Sequence, residues 1–102
     1  MEDHRNYPRF QLKNMSVDVS DGRGFYSGFI GDISKFGLCL KQIPSDLSDE
    51  YNRLTVVVAK DDANFRLIVR PRWENLDGFT KDIGVRIVES SPEWKQYVEA
   101  LA

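Results

Sequence analysis

Two arginines four residues apart, Arg5 and Arg9, open the chain within the string Arg5-Asn6-Tyr7-Pro8-Arg9. On a helix that spacing would put both on one face, but Pro8 disfavours the helical region for Tyr7. The stretch therefore reads as an extended or turning arm whose guanidinium groups point wherever a partner holds them. A guanidinium grips a phosphate or a guanine edge through paired hydrogen bonds, and its plane can stack on a ring. Such an arm needs a platform to close against. The candidate is Asp32-Ile33-Ser34-Lys35-Phe36-Gly37, which offers a carboxylate, a hydroxyl and a glycine within one short junction. Taken singly, each piece has an ordinary use: terminal arginines as solvated charge, Asp32 and Ser34 as turn formers, Gly37 as a turn residue.

The elements around these residues are legible from hydrophobic period. Phe10 to Val19 reads as a strand, with Val17 and Val19 on one face and Ser16, Asp18 and Ser20 on the other. Asp21-Gly22-Arg23-Gly24 is a turn signal, and Phe25 to Ile33 is the returning strand of a hairpin. Ser34 to Gly37 is a tight connection in which Gly37 suits a place where a side chain would clash. Gly37 to Ile43 is a third strand, followed by the acidic, turn-rich loop Pro44 to Glu50. Arg53 to Lys60 carries a β-branched run, and Asp61 to Asn64 reads as a turn. In Phe65 to Trp73, the residues Phe65, Leu67, Val69 and Trp73 are expected on one face and Arg66, Arg70 and Arg72 on the other. Pro71 implies an edge or a bulge there. Asn75 to Gly78 reads as a turn, and Lys81 to Glu89 as the last strand with Ile83, Val85 and Ile87 inward. The period then changes. Ser90-Ser91-Pro92-Glu93 has the form of a capping box, and Trp94, Tyr97, Val98 and Leu101 recur at helical spacing. The expected architecture is mainly β: a six-stranded antiparallel barrel of split-barrel type with a short C-terminal helix. No repeat or linker divides it, so one domain is expected over 1–102, with an arm at 1–10, a barrel at 11–89 and a helix at 90–102.

Composition bounds the chemistry. A chain of 102 residues, 41% hydrophobic and 12% aromatic, carries enough apolar surface for one core. Its formal net charge of -2 gives no global attraction to nucleic acid, so any anion site must be local. One cysteine, Cys39, excludes an intramolecular disulfide and points to a reducing compartment. No apolar run approaches the roughly 20 residues of a membrane span, and the N-terminus lacks the apolar stretch of a signal peptide. The expectation is a cytoplasmic protein with no membrane insertion.

Arg5-x-x-x-Arg9 followed by Asp32-x-Ser34-x-x-Gly37 at a strand junction resembles the PilZ domain family, which carries an RxxxR arm and a [D/N]xSxxG motif about this far apart. The resemblance covers nearly the whole chain and includes Ile83-Gly84-Val85-Arg86-Ile87, similar to the family's final strand. It implies a cytoplasmic bacterial receptor for cyclic diguanylate (cyclic di-GMP) that passes a change in its arm to a downstream protein. By motif position, Arg5 and Arg9 would bind the phosphates and guanines. Asp32 and Ser34 would face the guanine and sugar side, and Gly37 would let the backbone come close. Trp73 falls near the place where some members put an aromatic against a guanine. His4 stands before Arg5 where the family varies, and one bound ligand or a stacked pair both stay open. The chemistry agrees: Arg pairs with guanine O6 and N7, worth about 1–3 kcal/mol of discrimination per good pair. A carboxylate accepts from guanine N1 and N2, which adenine does not offer in that pattern. Ordering an arm costs about 1–2 kcal/mol of backbone entropy per residue, which makes arm position a natural switch.

Nothing in the sequence builds an enzyme. No Ser/His/Asp or Cys/His set, Walker loop or HExxH is present, and His4 with the distant Cys39 makes no metal site. Neither a cofactor nor a metal is expected, and DNA and RNA are not expected partners. Two alternatives remain open at this point. One is a small barrel binding single-stranded nucleic acid through arginines and the aromatics Phe25, Tyr26 and Phe29. The other is a PilZ-fold adaptor that binds protein but no nucleotide.

Overall fold

Alternation of branched apolar residues with polar ones dictates strands with one buried face, and the computed structural model contains them. It describes residues 10–11, 15–34, 36–47, 52–60 and 63–101. In chain order the strands are β1 (Phe10–Gln11), β2 (Ser16–Ser20), β3 (Phe25–Ile33), β4 (Gly37–Pro44), β5 (Leu54–Lys60), β6 (Ala63–Asp77) and β7 (Thr80–Ser90), followed by helix α1 (Pro92–Ala100). All pairings are antiparallel, in the order β1-β3-β2-β5-β6-β7-β4, and a further β3–β4 ladder closes the ring. Six strands thus form a closed barrel, with β1 lying against the end of β3.

The core is the inner face of that barrel. Val17 and Val19, Leu54, Val56 and Val58, Phe65, Leu67 and Val69, and Ile83 and Val85 all point into it. The first hairpin turns through Asp21–Gly24, where Asp21 Oδ1 accepts from the backbone N–H of Arg23 and of Gly24 at 2.8 and 3.1 Å. Gly22 takes a left-handed φ of 92° in that turn. Helix α1 lays Trp94 and Val98 into the core, with Trp94 edge-on to Phe65 at 5.4 Å.

Several expectations are corrected. The segment 10–19 is not one strand: Phe10 pairs with Ile33 and Ser16 with Phe29. The two ladders are out of step by two residues along the same edge of β3. Asn75 and Asp77 are not in a turn but in the β6–β7 ladder, opposite Asp82 and Thr80, and the reversal is Gly78–Phe79. Gly78 has φ 66°, the requirement of the first central position of a type II′ hairpin turn. Ala63 and Asn64 likewise belong to β6, paired with Lys60 and Ala59. Leu47, within the segment expected to be an acidic, turn-rich loop, is a buried core residue. The helix cap is Ser91, whose Oγ accepts from the Trp94 N–H, so position N3 is Trp94 and the Ser90–Glu93 box does not form.

Candidate functional site

The register of four neighbouring strands decides which outward side chains share a surface. Pro71 pairs with Val85 and Trp73 with Gly84, so Arg72 is an extra residue bulged out of β6. The bulge reverses the alternation beyond it. Trp73, expected inward with Phe65, Leu67 and Val69, therefore turns outward and is 50% exposed, while Glu74 turns toward Lys81. The β5–β6 ladder ends at Val69, so Pro71 sits where β6 has β7 on one side only and its missing N–H costs nothing.

Two outward rows follow from the pairings. Gly37 of β4 is opposite Arg86 of β7, which is opposite Arg70 of β6. Cys39, buried, is opposite Gly84, which is opposite Trp73. A Cβ on Gly84 would collide with the Trp73 indole, which fills the side-chain space that Gly84 leaves. Beyond these rows Lys41 and Asp82 form an ion pair at 3.2 Å, and the Asp82 carboxylate, hydrogen-bonded to the ammonium, raises the Lys41 pKa.

The Asp32-x-Ser34-x-x-Gly37 motif closes the end of this surface. A register shift in the β3–β4 ladder between Ile30 and Ile33 returns Ile33 to the core and leaves its half-buried neighbours Asp32 and Ser34 on the other side. The Ser34 N–H donates to the Gly37 carbonyl at 2.9 Å, and the Ile87 N–H donates to the Phe36 carbonyl at 2.8 Å, which pins the junction to β7. A Cβ on Gly37 would stand 2.9 Å from the Val85 carbonyl oxygen. The glycine is required by backbone approach, as expected of a position where a side chain would clash. The structure thus brings Asp32, Ser34 and Gly37 together at one junction, and sets Trp73 two strands away on the same outer face. Arg5 and Arg9 lie outside the described residues. The chain next to Arg9 is described, however: Gln11 pairs with Asp32 and Phe10 with Ile33, so β1 runs beside the motif.

One residue at this surface, Arg86, was not singled out as a site candidate from sequence; Arg70 was expected on the polar face of β6 with Arg66 and Arg72. Arg70 and Arg86 are exposed and directly opposed, and neither has an ion pair among the described residues. Like charges facing each other across a ladder are destabilising, so an anion between them would relieve a cost the fold carries. The signal available in sequence was only that Arg70 falls on the polar face of β6. Pairing it with Arg86 requires knowing where the bulge is. Of the aromatics considered for nucleic-acid stacking, Phe25 and Phe29 are exposed but Tyr26 packs against the core.

Comparison with solved structures bears on the fold. A structure of the PilZ domain of YcgR from Escherichia coli with c-di-GMP superposes with a TM-score of 0.66 at 15% identity, covering 97% of this chain and 88% of that one. The chain has a PilZ-like fold. A structure of the Bacillus subtilis inhibitor of motility, MotI/DgrA, superposes with a TM-score of 0.76 at 13% identity over 95% of this chain. The PilZ-like chain spans about half of that protein's length, 48%. No family model matches the sequence, and no curated protein matches it significantly. No helix among the described residues is long and apolar enough to cross a membrane.

Proposed function

We propose that this chain is a receptor for cyclic diguanylate, holding the nucleotide on the outer face of β3, β4, β7 and β6 beneath its N-terminal arm. The observation that carries the reading is the pairing of β1 with the end of β3: it starts the Arg5–Arg9 segment from the Asp32–Ser34 motif. In the neighbouring YcgR structure a domain of this fold is seen with c-di-GMP, which supports the same ligand here. Arg5 and Arg9 take phosphate and the O6/N7 edge of guanine, Asp32 accepts from guanine N1 and N2, and Ser34 bonds the sugar side. Gly37 keeps the platform low. Arg70 and Arg86 supply the local positive charge that a chain of net charge -2 needs to attract a dianion, and Trp73 offers an exposed ring face at the far side. The residues 1–102 act together as one receptor domain, not an enzyme, in the cytoplasm of a bacterium, and the ordered arm signals to a protein partner.

Tryptophan fluorescence tests the reading directly. The chain has two tryptophans, and Trp94 is fully buried, so a ligand-induced change reports Trp73. Titration with cyclic diguanylate is expected to change the emission saturably, and cyclic diadenylate is not. An equal response to both nucleotides, or none to either, sinks the proposal.

A further inference from the structure

The β6–β7 hairpin continues past the end of the β5 ladder at Val69 and finishes in the turn Gly78–Phe79. Its tip carries the most exposed large apolar side chain among the described residues, Phe79 at 91%, with Leu76 at 67% just before the turn. An isolated exposed hydrophobe needs no explanation, but this tip is held in place. The Ser45 N–H donates to the Phe79 carbonyl at 2.9 Å. Lys81, itself buried, donates from Nζ to the Leu47 carbonyl at 2.8 Å and to Glu74 Oε2 at 3.1 Å. A fixed backbone presenting exposed apolar side chains has already met the ordering cost that a floppy loop would meet on binding.

The charge around the tip is one-sided. Asp77 lies between Leu76 and the turn, and Asp46 follows the Ser45 that is bonded to Phe79. Both carboxylates belong to exposed residues with no ion pair among the described residues, whereas Lys81, the cation of this region, is buried and paired with Glu74. An apolar projection flanked by uncompensated carboxylates opposes an anionic lipid surface and suits a protein surface of opposite pattern. We infer that the Leu76–Phe79 tip is a docking surface for a partner protein whose apolar pocket, rimmed by Lys or Arg, receives Phe79. The inference does not depend on nucleotide binding, because none of Asp46, Leu76, Asp77 and Phe79 is among the residues assigned to the nucleotide.

The probe is a random peptide library displayed on phage and selected on the intact protein. Enriched peptides are expected to combine apolar residues with Lys or Arg. Their binding should fall about tenfold or more in Phe79→Ser, as for an interface hot spot. It should weaken in Asp46→Asn, in Asp77→Asn and at raised ionic strength, and stay unchanged in Arg86→Gln. With Phe79 exposed, the Phe79→Ser variant should keep the wild-type circular dichroism and melting temperature, so loss of binding reads the surface and not the fold. The inference is overturned if no peptide is enriched, if enriched peptides are acidic, or if binding survives Phe79→Ser. It is equally overturned if Phe79 instead drives sedimentation with phosphatidylcholine–phosphatidylglycerol vesicles or a concentration-dependent dimer in light scattering.

Discussion

Replacing Arg86 by Gln should move stability and ligand affinity in opposite directions. Arg86 and Arg70 are opposed across the β6–β7 ladder with no ion pair to either among the described residues. Two unit charges about 6 Å apart in water repel by about 0.7 kcal/mol, within the range of about 0.2–1 kcal/mol for a cross-strand pair. Gln retains much of the stem and removes the charge, so the ligand-free variant should be more stable by about half a kcal/mol. For a domain of this size that raises the melting temperature by about 2–4 °C. If Arg86 also meets a phosphate, the variant loses a charge-assisted bond worth about 1.5–3 kcal/mol. That is about ten- to a hundredfold in Kd for cyclic diguanylate. Scanning calorimetry without ligand and titration calorimetry with it read the two effects on one preparation. A lowered melting temperature would mean the arginine stabilises the barrel through its own contacts. An unchanged Kd would remove the Arg70–Arg86 pair from the site.

Three further outcomes test the packing that supports the site. Lys81→Met leaves the Leu47 carbonyl and Glu74 without their buried donor; it should lower the urea midpoint by about 1–3 kcal/mol of stability with an unchanged slope. Gly84→Ala puts a Cβ where the Trp73 indole lies; a loss of about 1–3 kcal/mol from overpacking is expected, and a shift in Trp73 emission should accompany it. Lys41, raised above its ordinary value of 10.5 first by its hydrogen bond to Asp82, stabilises the fold only while protonated. The side chains are 47% and 30% exposed, so screening limits the pair to a few tenths of a kcal/mol. That contribution is full below the ordinary value of 10.5 and is lost as pH rises through the higher folded value. The small gap in melting temperature between wild type and Lys41→Met should therefore persist at neutral pH and close only in strong alkali; a gap that closes below about pH 9 contradicts the assignment.

The regular parts of the fold are legible in the sequence because burial imposes a period on them. Val17 and Val19, or Leu54, Val56 and Val58, can face the core only as a strand, and the two-fold alternation identifies their inner face without any partner. The motif junction was legible for a similar reason: Gly37 is required by the Val85 carbonyl, and Asp32 and Ser34 flank an inward Ile33. What escaped depends on the register between paired strands, which the period of one strand does not carry. Pro71 announced an edge or bulge, and β6 has both, but only the pairing with β7 shows that Arg72 is the extra residue. That one insertion turns Trp73 out, turns Glu74 toward Lys81 and sets Arg70 opposite Arg86. Asn75 to Asp77 carries turn-favouring residues, yet pairing with Thr80 to Asp82 across the hairpin overrides local preference. Leu47 was hidden for the converse reason, a single apolar residue in a polar loop with no period to reveal it.

On the proposed reading, the arm and the junction it starts from grip guanine dinucleotide together. Titration calorimetry of the intact chain with cyclic diguanylate, beside Arg5→Ala, Arg9→Ala and Asp32→Ala variants, tests it most directly. Saturable heat from the wild type, with binding by each variant weaker by about tenfold or more, is the predicted result. Wild-type heat indistinguishable from dilution, or variants that bind as the wild type does, would contradict it.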